Sequence, residues 1–269
     1  MREYLKMSEL IQKIESIAKI AGQEAMLYYN HIRQNTVMTK NTPKDLVSTA
    51  DKMVEKLIFQ NIKANFPGHS ILGEEFGLSR IEDAKYCWVV DPIDGTQSFI
   101  RNQPFFSISI ALKKEGKTIA GCVFAPRLDM MFSAELNQGA YENGKLIHVS
   151  DCENLSLASG ATGFACLRAG LTENNNLPIC MKLFPVLRDI KRCGSAALDL
   201  CFVASGRFDV FWELMLQEYD VAAGALIAQE AGAVVSDFLD GDKFPEHGIV
   251  CSNSTLHKQM LPYLNIIRI

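Results

Sequence analysis

The sequence predicts a layered protein of the α+β or α/β class, and three observations support this prediction. Helical periodicity runs through residues 8–30 and again from residue 48 to Pro67, and β-rich runs separated by turn residues fill residues 85–150. Helical and strand patterns then alternate to the end of the chain, without internal repeats. At 269 residues we expect one domain over 1–269, with possible subdomains at about 1–150 and 151–269.

The elements follow from local patterns along the chain. The first helix is predicted at residues 8–30, where apolar side chains recur every three or four residues. The second helix is predicted to begin at Ser48 and Thr49, which are favoured N-cap types, and Asp51 would then lie in its first turn. Turn pairs such as Glu115-Gly116 and Asn143-Gly144 indicate hairpins, hence an antiparallel sheet over 85–150. The later predicted elements are a strand at 155–158, helices at 178–190 and 194–203, a strand at 210–212, a helix at 222–229, and strands at 234–235 and 249–250.

Composition excludes several classes of function. The 27 Lys and Arg residues against 31 Asp and Glu give a net charge of −4, which is unlike a protein that coats nucleic acid. Because no run of about 18 apolar residues exists, we expect neither a membrane span nor a secretory segment, and a cytoplasmic location. The eight cysteines and five histidines are scattered without C-x-x-C or H-x-x-x-H spacing, which argues against a disulfide framework or a zinc site.

The most informative segment runs from Trp88 to Thr96, where a strand pattern meets Asp, Pro and Gly. Pro92 would fix one φ angle, and Gly95 would permit a tight turn that returns Asp94 to the side of Asp91. Two carboxylates would then share one short turn. An ordinary Asx turn with solvated side chains explains the same residues. The sequence alone therefore leaves open whether this segment is a functional pair of carboxylates or an ordinary turn.

Three further acidic positions also have ordinary explanations. Glu74, in Gly73-Glu74-Glu75, follows an apolar strand and could simply end it. Asp220 precedes an alanine-rich helix and is predicted to be its N-cap, while Asp51 would favour the positive end of its own helix.

Taken together, these segments resemble the inositol monophosphatase family of magnesium-dependent, lithium-sensitive phosphatases. The motifs are G-E-E at 73–75, D-P-I-D-G-T at 91–96 and Y-D-V-A-A-G-A-L-I-A-Q-E-A-G at 219–232, supported by D-L-V-S-T-A-D at 45–51, G-S-A-A-L-D-L at 194–200 and F-W-E at 211–213. The resemblance extends over about 8–265. It implies an α/β fold, an α-β-α-β-α sandwich with a largely antiparallel N-terminal sheet and a second, mixed sheet. Tyr219 departs from the tryptophan usual in the family, which puts the substrate preference in question.

The resemblance also implies roles for individual residues. Two or three Mg²⁺ ions would be held by Glu74, Asp91, the carbonyl group of Ile93, Asp94 and Asp220. Catalytic roles fall to Thr96, Asp51 and Glu74, with Thr96 hydrogen-bonded to Asp51 and relaying a proton from the attacking water. The implied substrate contacts are Gly95, Thr96, Asp94, Gly194, Ser195, Ala196, Glu213 and Asp220, with Lys40 as an accessory loop lysine.

The implied function is Mg²⁺-dependent hydrolysis of inositol monophosphates to inositol and phosphate by a metal-activated water. Two carboxylates about 4 Å apart repel by roughly 4 kcal/mol at an effective dielectric constant of about 20, so an acidic site cannot bind phosphate without cations. Hard oxygen ligands favour Mg²⁺. The same chemistry on histidinol phosphate, fructose bisphosphate or 3′-phosphoadenosine 5′-phosphate stays open.

A non-enzymatic alternative is that the protein is a binding partner of the transcription complex, because some bacterial members of the inositol monophosphatase family associate with that complex. RNA polymerase or nucleic acid would then be the partner. The basic groupings Lys113-Lys114 and Arg188, Lys191 and Arg192 are interpreted as solvated surface. The resemblance further implies a homodimer and inhibition by lithium.

Overall fold

The structure, a computed structural model, describes residues 8–34, 43–168, 170, 173 and 175–264. The helices of this part are α1 (Glu9–Gln34), α2 (Pro43–Asn65), α3 (Thr96–Ile100), α4 (Ala165–Arg168), α5 (Leu177–Leu183), α6 (Ala196–Ala204), α7 (Glu218–Glu230) and α8 (Ser254–Leu264).

The first sheet has eight strands and is antiparallel except for one pair. Its strands are β1 (Ser70–Gly73), β2 (Gly77–Ser79), β3 (Tyr86–Asp94), β4 (Ser107–Lys114), β5 (Lys117–Ala125), β6 (Met130–Glu135), β7 (Ala140–Glu142) and β8 (Lys145–Ile147). They are ordered β2-β1-β3-β4-β5-β6-β7-β8, and only β1 and β3 run parallel. Glu115 and Asn143 turn their hairpins with positive φ angles of 49° and 47°. The predicted largely antiparallel N-terminal sheet is confirmed.

The second sheet has five strands and is mixed, as predicted. Its strands are β9 (Ser159–Thr162), β10 (Asp189–Lys191), β11 (Val210–Glu213), β12 (Val234–Ser236) and β13 (Ile249–Ser252). The order is β10-β9-β11-β13-β12, with β9 parallel to β10 and β11 and with β13 antiparallel to β11 and β12.

The elements stack in five layers. Helices α1 and α2 pack on one face of the first sheet, α6 and α7 lie between the two sheets, and α5 and α8 cover the second sheet. The layer position explains the sequence pattern of each helix. On α1 only one face is buried, with Ile14, Ala18 and Ala21 inward, whereas all nine residues of α6 are buried because sheets flank it on both sides. The predicted α-β-α-β-α sandwich is confirmed.

The predicted start of the second helix is wrong. Helix α2 begins at Pro43, so Ser48 and Thr49 are interior positions and Asp51 lies in the third turn instead of the first. Proline is favoured at the first helical position because its fixed φ suits a helix and its missing N–H is not needed there. The apolar stripe alone could not locate this start.

Two predictions near the second sheet are also corrected. The predicted strand at 155–158 is a 3₁₀ turn, Leu155–Leu157, because the side chain of Asn154 accepts a hydrogen bond from the backbone N–H of Ser156 and closes the chain locally. The predicted helix at 178–190 ends at Leu183, shortly before Pro185, and the chain then forms β10.

Candidate active site

A bulge at the end of β3 places Asp91 and Asp94 on the same side of the sheet. Asp91 pairs with Ser109 and Asp94 pairs with Ser107, so three steps along β3 oppose two steps along β4. In a regular strand, residues three apart point to opposite faces, and the extra residue reverses this. Pro92 fits in the bulge because it has no N–H to donate. The prediction that a turn at Gly95 brings the two carboxylates together is therefore wrong, because the bulge between Asp91 and Asp94 does so before the chain reaches Gly95.

The chain changes direction immediately after the bulge. Gly95 has a φ of 95°, and a Cβ atom there would lie 2.7 Å from the carbonyl oxygen of Phe105. Helix α3 begins at the next residue, and the hydroxyl group of Thr96 donates to the carbonyl oxygen of Ile93 at 3.2 Å. The predicted hydrogen bond between Thr96 and Asp51 is therefore wrong, because a hydroxyl in the first helical turn is satisfied by a nearby backbone acceptor.

The carboxylate of Asp94 is fixed at the N-terminus of α6. It accepts hydrogen bonds from the hydroxyl of Ser195 at 2.6 Å and from the backbone N–H of Ala197 at 2.8 Å. Ser195 is also the N-cap of α6 and accepts from the N–H of Leu198. The predicted contact of Ser195 with substrate is corrected: the residue is fully buried behind Asp94 and does not line the cavity.

Asp220 comes to the same place from α7. It is the third residue of this helix, and its carboxylate accepts from the backbone N–H of Gln217 at 2.6 Å, so the prediction that Asp220 is the N-cap is wrong. Oxygen atoms of Asp91, Asp94 and Asp220 all lie within 4.8 Å of one another. Three carboxylates from two distant parts of the sequence thus form one cluster that could hold a metal ion.

Glu74 completes the acidic group at the rim of the cavity. It follows the last residue of β1, and its backbone N–H donates to the carbonyl oxygen of Val90 at 3.2 Å, one residue before Asp91. The Glu74 side chain is exposed on one side and hydrogen-bonds with Asp91 on the other. Two carboxyl groups can share a hydrogen bond only when a proton lies between them.

The acidic cluster shifts the ionisation of its members. Burial raises the pKa of Asp91, and the charges of Glu74 and Asp94 raise it further. The pKa of Asp94 is raised mainly by burial and then by the charge of Asp220, whereas the hydrogen bond from Ser195 lowers it. The pKa of Asp51 rises to about 8 through burial and the charge of Glu74. Without a cation these groups would retain protons near neutral pH.

The donor set fits a hard divalent cation. All the ligand atoms that converge are carboxylate oxygens, and neither cysteine nor histidine lines the cavity in the part of the chain that the structure describes. One buried carboxylate oxygen of Asp51, Oδ1, has no hydrogen-bond partner among the described residues. A cluster of buried acids with an unsatisfied oxygen is stabilised when positive charge enters it.

The cavity beside the cluster has a volume of about 240 Å³. Its predicted lining residues are Glu74, Asp91, Ile93, Asp94, Gly95, Thr96, Gly194, Ala196, Glu213 and Asp220. Glu213, at the end of β11, is buried on the wall formed by the second sheet and accepts from the N–H of Ala165 at 3.1 Å. Asp51 does not line the cavity. Lys40 lies outside the described residues.

Sequence reasoning missed several lining residues. These are Gln97, Gly163, Ala165, Arg192 and Leu216. Arg192 was interpreted with Arg188 and Lys191 as solvated surface. All three residues are exposed, and Lys191 pairs with Asp189 at 2.5 Å, but Arg192 also lines the cavity. The available signal was position, because Arg192 lies two residues before the Gly194 that was already assigned to the cavity.

Comparison with known proteins identifies the group to which this arrangement belongs. The sequence profile of the inositol monophosphatase family matches residues 6–268. The chain belongs to this family. No helix of the described segments is long and apolar enough to pass through a lipid bilayer.

Individual relatives of this family carry two kinds of name. A protein of Vibrio cholerae called Nus factor SuhB is 38% identical over 241 residues, covering 87% of this chain and 90% of its own length. The inositol-1-monophosphatase of Mesorhizobium japonicum is 33% identical over 256 residues, covering 94% and 95%. A crystal structure of the extragenic suppressor protein suhB of Bartonella henselae superposes with a TM-score of 0.86 at 32% identity, covering 96% of this chain and 99% of that one. Family membership supports a phosphatase and leaves the alcohol part of the substrate open.

Proposed function

We propose that this protein is a Mg²⁺-dependent phosphomonoesterase that hydrolyses inositol monophosphates to inositol and phosphate. The observation that carries the proposal is the convergence of Asp91, Asp94 and Asp220 within 4.8 Å beside a cavity that Glu74 borders. The oxygen-only donor set favours Mg²⁺ over zinc. When bound, two or three Mg²⁺ ions would offset the carboxylate charges, attract the phosphate and lower the pKa of the attacking water.

The residues of the chain would orient the ester. The backbone N–H groups of Gly95 and Thr96 border the cavity at the start of α3, where the first helical N–H groups have no partner within the helix, and would bind phosphate oxygens. The hydroxyl of Thr96 would accept or relay a proton from the attacking water, a role that depends on its position more than on its acidity. Asp51, buried nearby with a free oxygen, would influence that step through its charge.

The opposite wall would bind the alcohol part. Glu213 offers a buried carboxylate that can accept hydrogen bonds from ring hydroxyls, and Gly194 and Ala196 leave space beside it. A polyol such as inositol uses this acceptor. The same wall would also admit histidinol phosphate, fructose bisphosphate or 3′-phosphoadenosine 5′-phosphate, so these remain the alternative substrates. Lithium inhibition and a homodimer, both implied by the family, belong to the same proposal.

A phosphate-release panel tests the proposal. It compares inositol 1-phosphate with the three alternative substrates, with and without Mg²⁺, for the wild type, Asp94→Asn and the exposed control Asp242→Asn. We expect inositol 1-phosphate to have the highest kcat/KM, an absolute Mg²⁺ requirement, a loss of at least about 100-fold in Asp94→Asn, and no change in the control. A higher kcat/KM for another ester would identify that ester as the preferred substrate in place of inositol 1-phosphate. The absence of phosphate release from every ester would refute the enzymatic proposal.

A second candidate is a partner of the transcription complex, favoured by the relatives named Nus factor SuhB. The described basic groups support it weakly, because Lys113 pairs with Glu218 and Lys191 pairs with Asp189. A pull-down with RNA polymerase at rising salt concentration, for the wild type and Asp94→Asn, distinguishes the candidates. If Asp94→Asn binds RNA polymerase as the wild type does, and no phosphatase activity is detected, the result would favour the role as a partner of the transcription complex.

A further inference from the structure

A buried glutamate on α2 contacts the loop that carries Glu74. The side chain of Glu55 is fully buried, and its two carboxylate oxygens accept separate backbone hydrogen bonds. The N–H of Glu75 donates to Oε2 at 2.7 Å, and the N–H of Phe76 donates to Oε1 at 3.2 Å. Both donors directly follow Glu74, so one carboxylate holds the whole connection between β1 and β2.

The preceding residue is shaped for this contact. A Cβ atom at Gly73 would lie 1.6 Å from Oε1 of Glu55, so no other residue type fits while the carboxylate stays in place. The ring of Phe59, one turn further along α2, packs edge-on against Phe76, with ring centroids 5.9 Å apart. Helix α2 therefore contacts this loop through a charged pair of hydrogen bonds and an aromatic pair.

The contact between Glu55 and the loop after Glu74 indicates that the loop is held in a defined position. Burial of a carboxylate is unfavourable for the free energy of folding, and Glu55 forms no ion pair within the described ranges of the chain. Hydrogen bonds from two backbone N–H groups to a carboxylate are directional and stronger than neutral ones. They fix the loop after Glu74, and the hydrogen bond from the N–H of Glu74 to Val90 fixes it before. The Glu74 side chain thus projects from a backbone held on both sides.

We infer that Glu55 is a positioning residue that holds the carboxylate of Glu74 beside Asp91 for metal binding. The inference rests on the proposed function. Helix α2 carries Asp51 one turn before Glu55, so the same helix face supports two acidic positions of the site. Glu55 itself does not line the cavity, so it would act on the metal site only through the position of Glu74.

The matched control is Glu230 on α7. Its carboxylate also accepts two backbone hydrogen bonds from a loop, from Asn137 at 2.8 Å and Gly139 at 2.9 Å. That loop joins β6 to β7 and contributes nothing to the cavity. Removing either glutamate should therefore loosen one loop, but only Glu55 should affect the metal site.

The test measures Mg²⁺ binding by calorimetry and the Mg²⁺ concentration that gives half-maximal turnover, for the wild type, Glu55→Ala, Glu55→Gln and Glu230→Ala. We expect Mg²⁺ affinity to fall about 10- to 100-fold in Glu55→Ala, while kcat at saturating Mg²⁺ changes by less than about threefold. Glu55→Gln keeps one acceptor oxygen and should lose an intermediate amount. Glu230→Ala should lower thermal stability and leave Mg²⁺ affinity unchanged.

Each outcome is decisive. Mg²⁺ affinity at the wild-type level in folded Glu55→Ala or Glu55→Gln would overturn the inference, and so would equal losses in Glu55→Ala and Glu230→Ala. If Glu55→Ala does not fold, Glu55→Gln decides alone. A wild type that binds no Mg²⁺ would instead refute the proposed function, which keeps the two failures apart.

Discussion

Ser195→Ala should destabilise the protein through two separate losses. The hydroxyl group caps α6, and loss of an N-cap costs about 1 kcal/mol. The same hydroxyl donates to buried Asp94 at 2.6 Å, and a hydrogen bond to a charged group contributes about 1.5–3 kcal/mol. The combined loss is about 3 kcal/mol, which for a chain of this size corresponds to a fall in Tm of about 6–10 °C.

The assay is thermal unfolding followed by circular dichroism in EDTA at about pH 9, above the pKa of about 8 of Asp94, so that the carboxylate is ionised without a cation. The control is Ser205→Ala at the other end of α6, where the hydroxyl donates to the carbonyl oxygen of Cys201 at 3.0 Å and the loss should stay below about 1 kcal/mol. In an Asp94→Ala background, which lacks the acceptor of the Ser195 hydroxyl, Ser195→Ala should cost less, because only the cap and the contact with the hydroxyl of Ser107 remain to be lost. Equal losses for the two serine variants, or the same cost of Ser195→Ala in both backgrounds, would refute the reasoning.

Two further predictions concern pH and substrate recognition. In EDTA, the free energy of unfolding should fall as the pH rises from about 5 to 8. The reason is that Asp51 has a pKa of about 8 in the folded protein and keeps its proton there, whereas the unfolded chain releases this proton near the ordinary pKa of 3.8. Mg²⁺ should raise Tm more at the upper end of this pH range. Thermal scans across this pH range measure both effects, and a metal-free Tm that stays level or rises would contradict the sign. Glu213→Ala should raise KM for inositol 1-phosphate at least about tenfold while changing KM for an aryl phosphate by less than about threefold, since only the polyol uses this acceptor. Equal KM changes for both esters would exclude a role of Glu213 in recognising the alcohol.

The sequence predicted elements best where one periodicity runs through a long segment. Helix α1 and the hairpins of the first sheet were predictable because each repeats its pattern over several turns or strands. The failures lie at short connections. Asn154 closes a 3₁₀ turn with its side chain, and Pro43 begins α2 five residues before the first predicted N-cap, Ser48. Both depend on a single residue, which an average over a window does not detect.

The sequence motifs grouped acidic residues that lie together in the structure, but the geometry that brings them together was less predictable. Motifs assigned the acidic residues, but the letters D-P-I-D do not distinguish a turn from a bulge, which depends on the pairing of β3 with β4. Ser195 shows a second limit, because a residue within a motif assigned to substrate binding instead donates a hydrogen bond to the neighbouring carboxylate of Asp94. Glu55 shows a third limit. It accepts hydrogen bonds from the backbone of a loop twenty residues away, and because every residue type except proline has a backbone N–H, the sequence does not indicate which N–H groups donate.

The charge balance of the site supports the number of ions in the proposal. The N-termini of α6 and α7 lie at the cavity, and each contributes a partial charge of about +0.5, or roughly +1 in all. Glu74, Asp91, Asp94 and Asp220 carry about −4 when ionised, and a phosphate monoester adds nearly −2, so roughly −5 stays uncompensated. One divalent cation would leave a net charge near −3, whereas two would leave about −1. In the proposed reaction, two cations would therefore offset most of the charge, and a third would gain the least from binding.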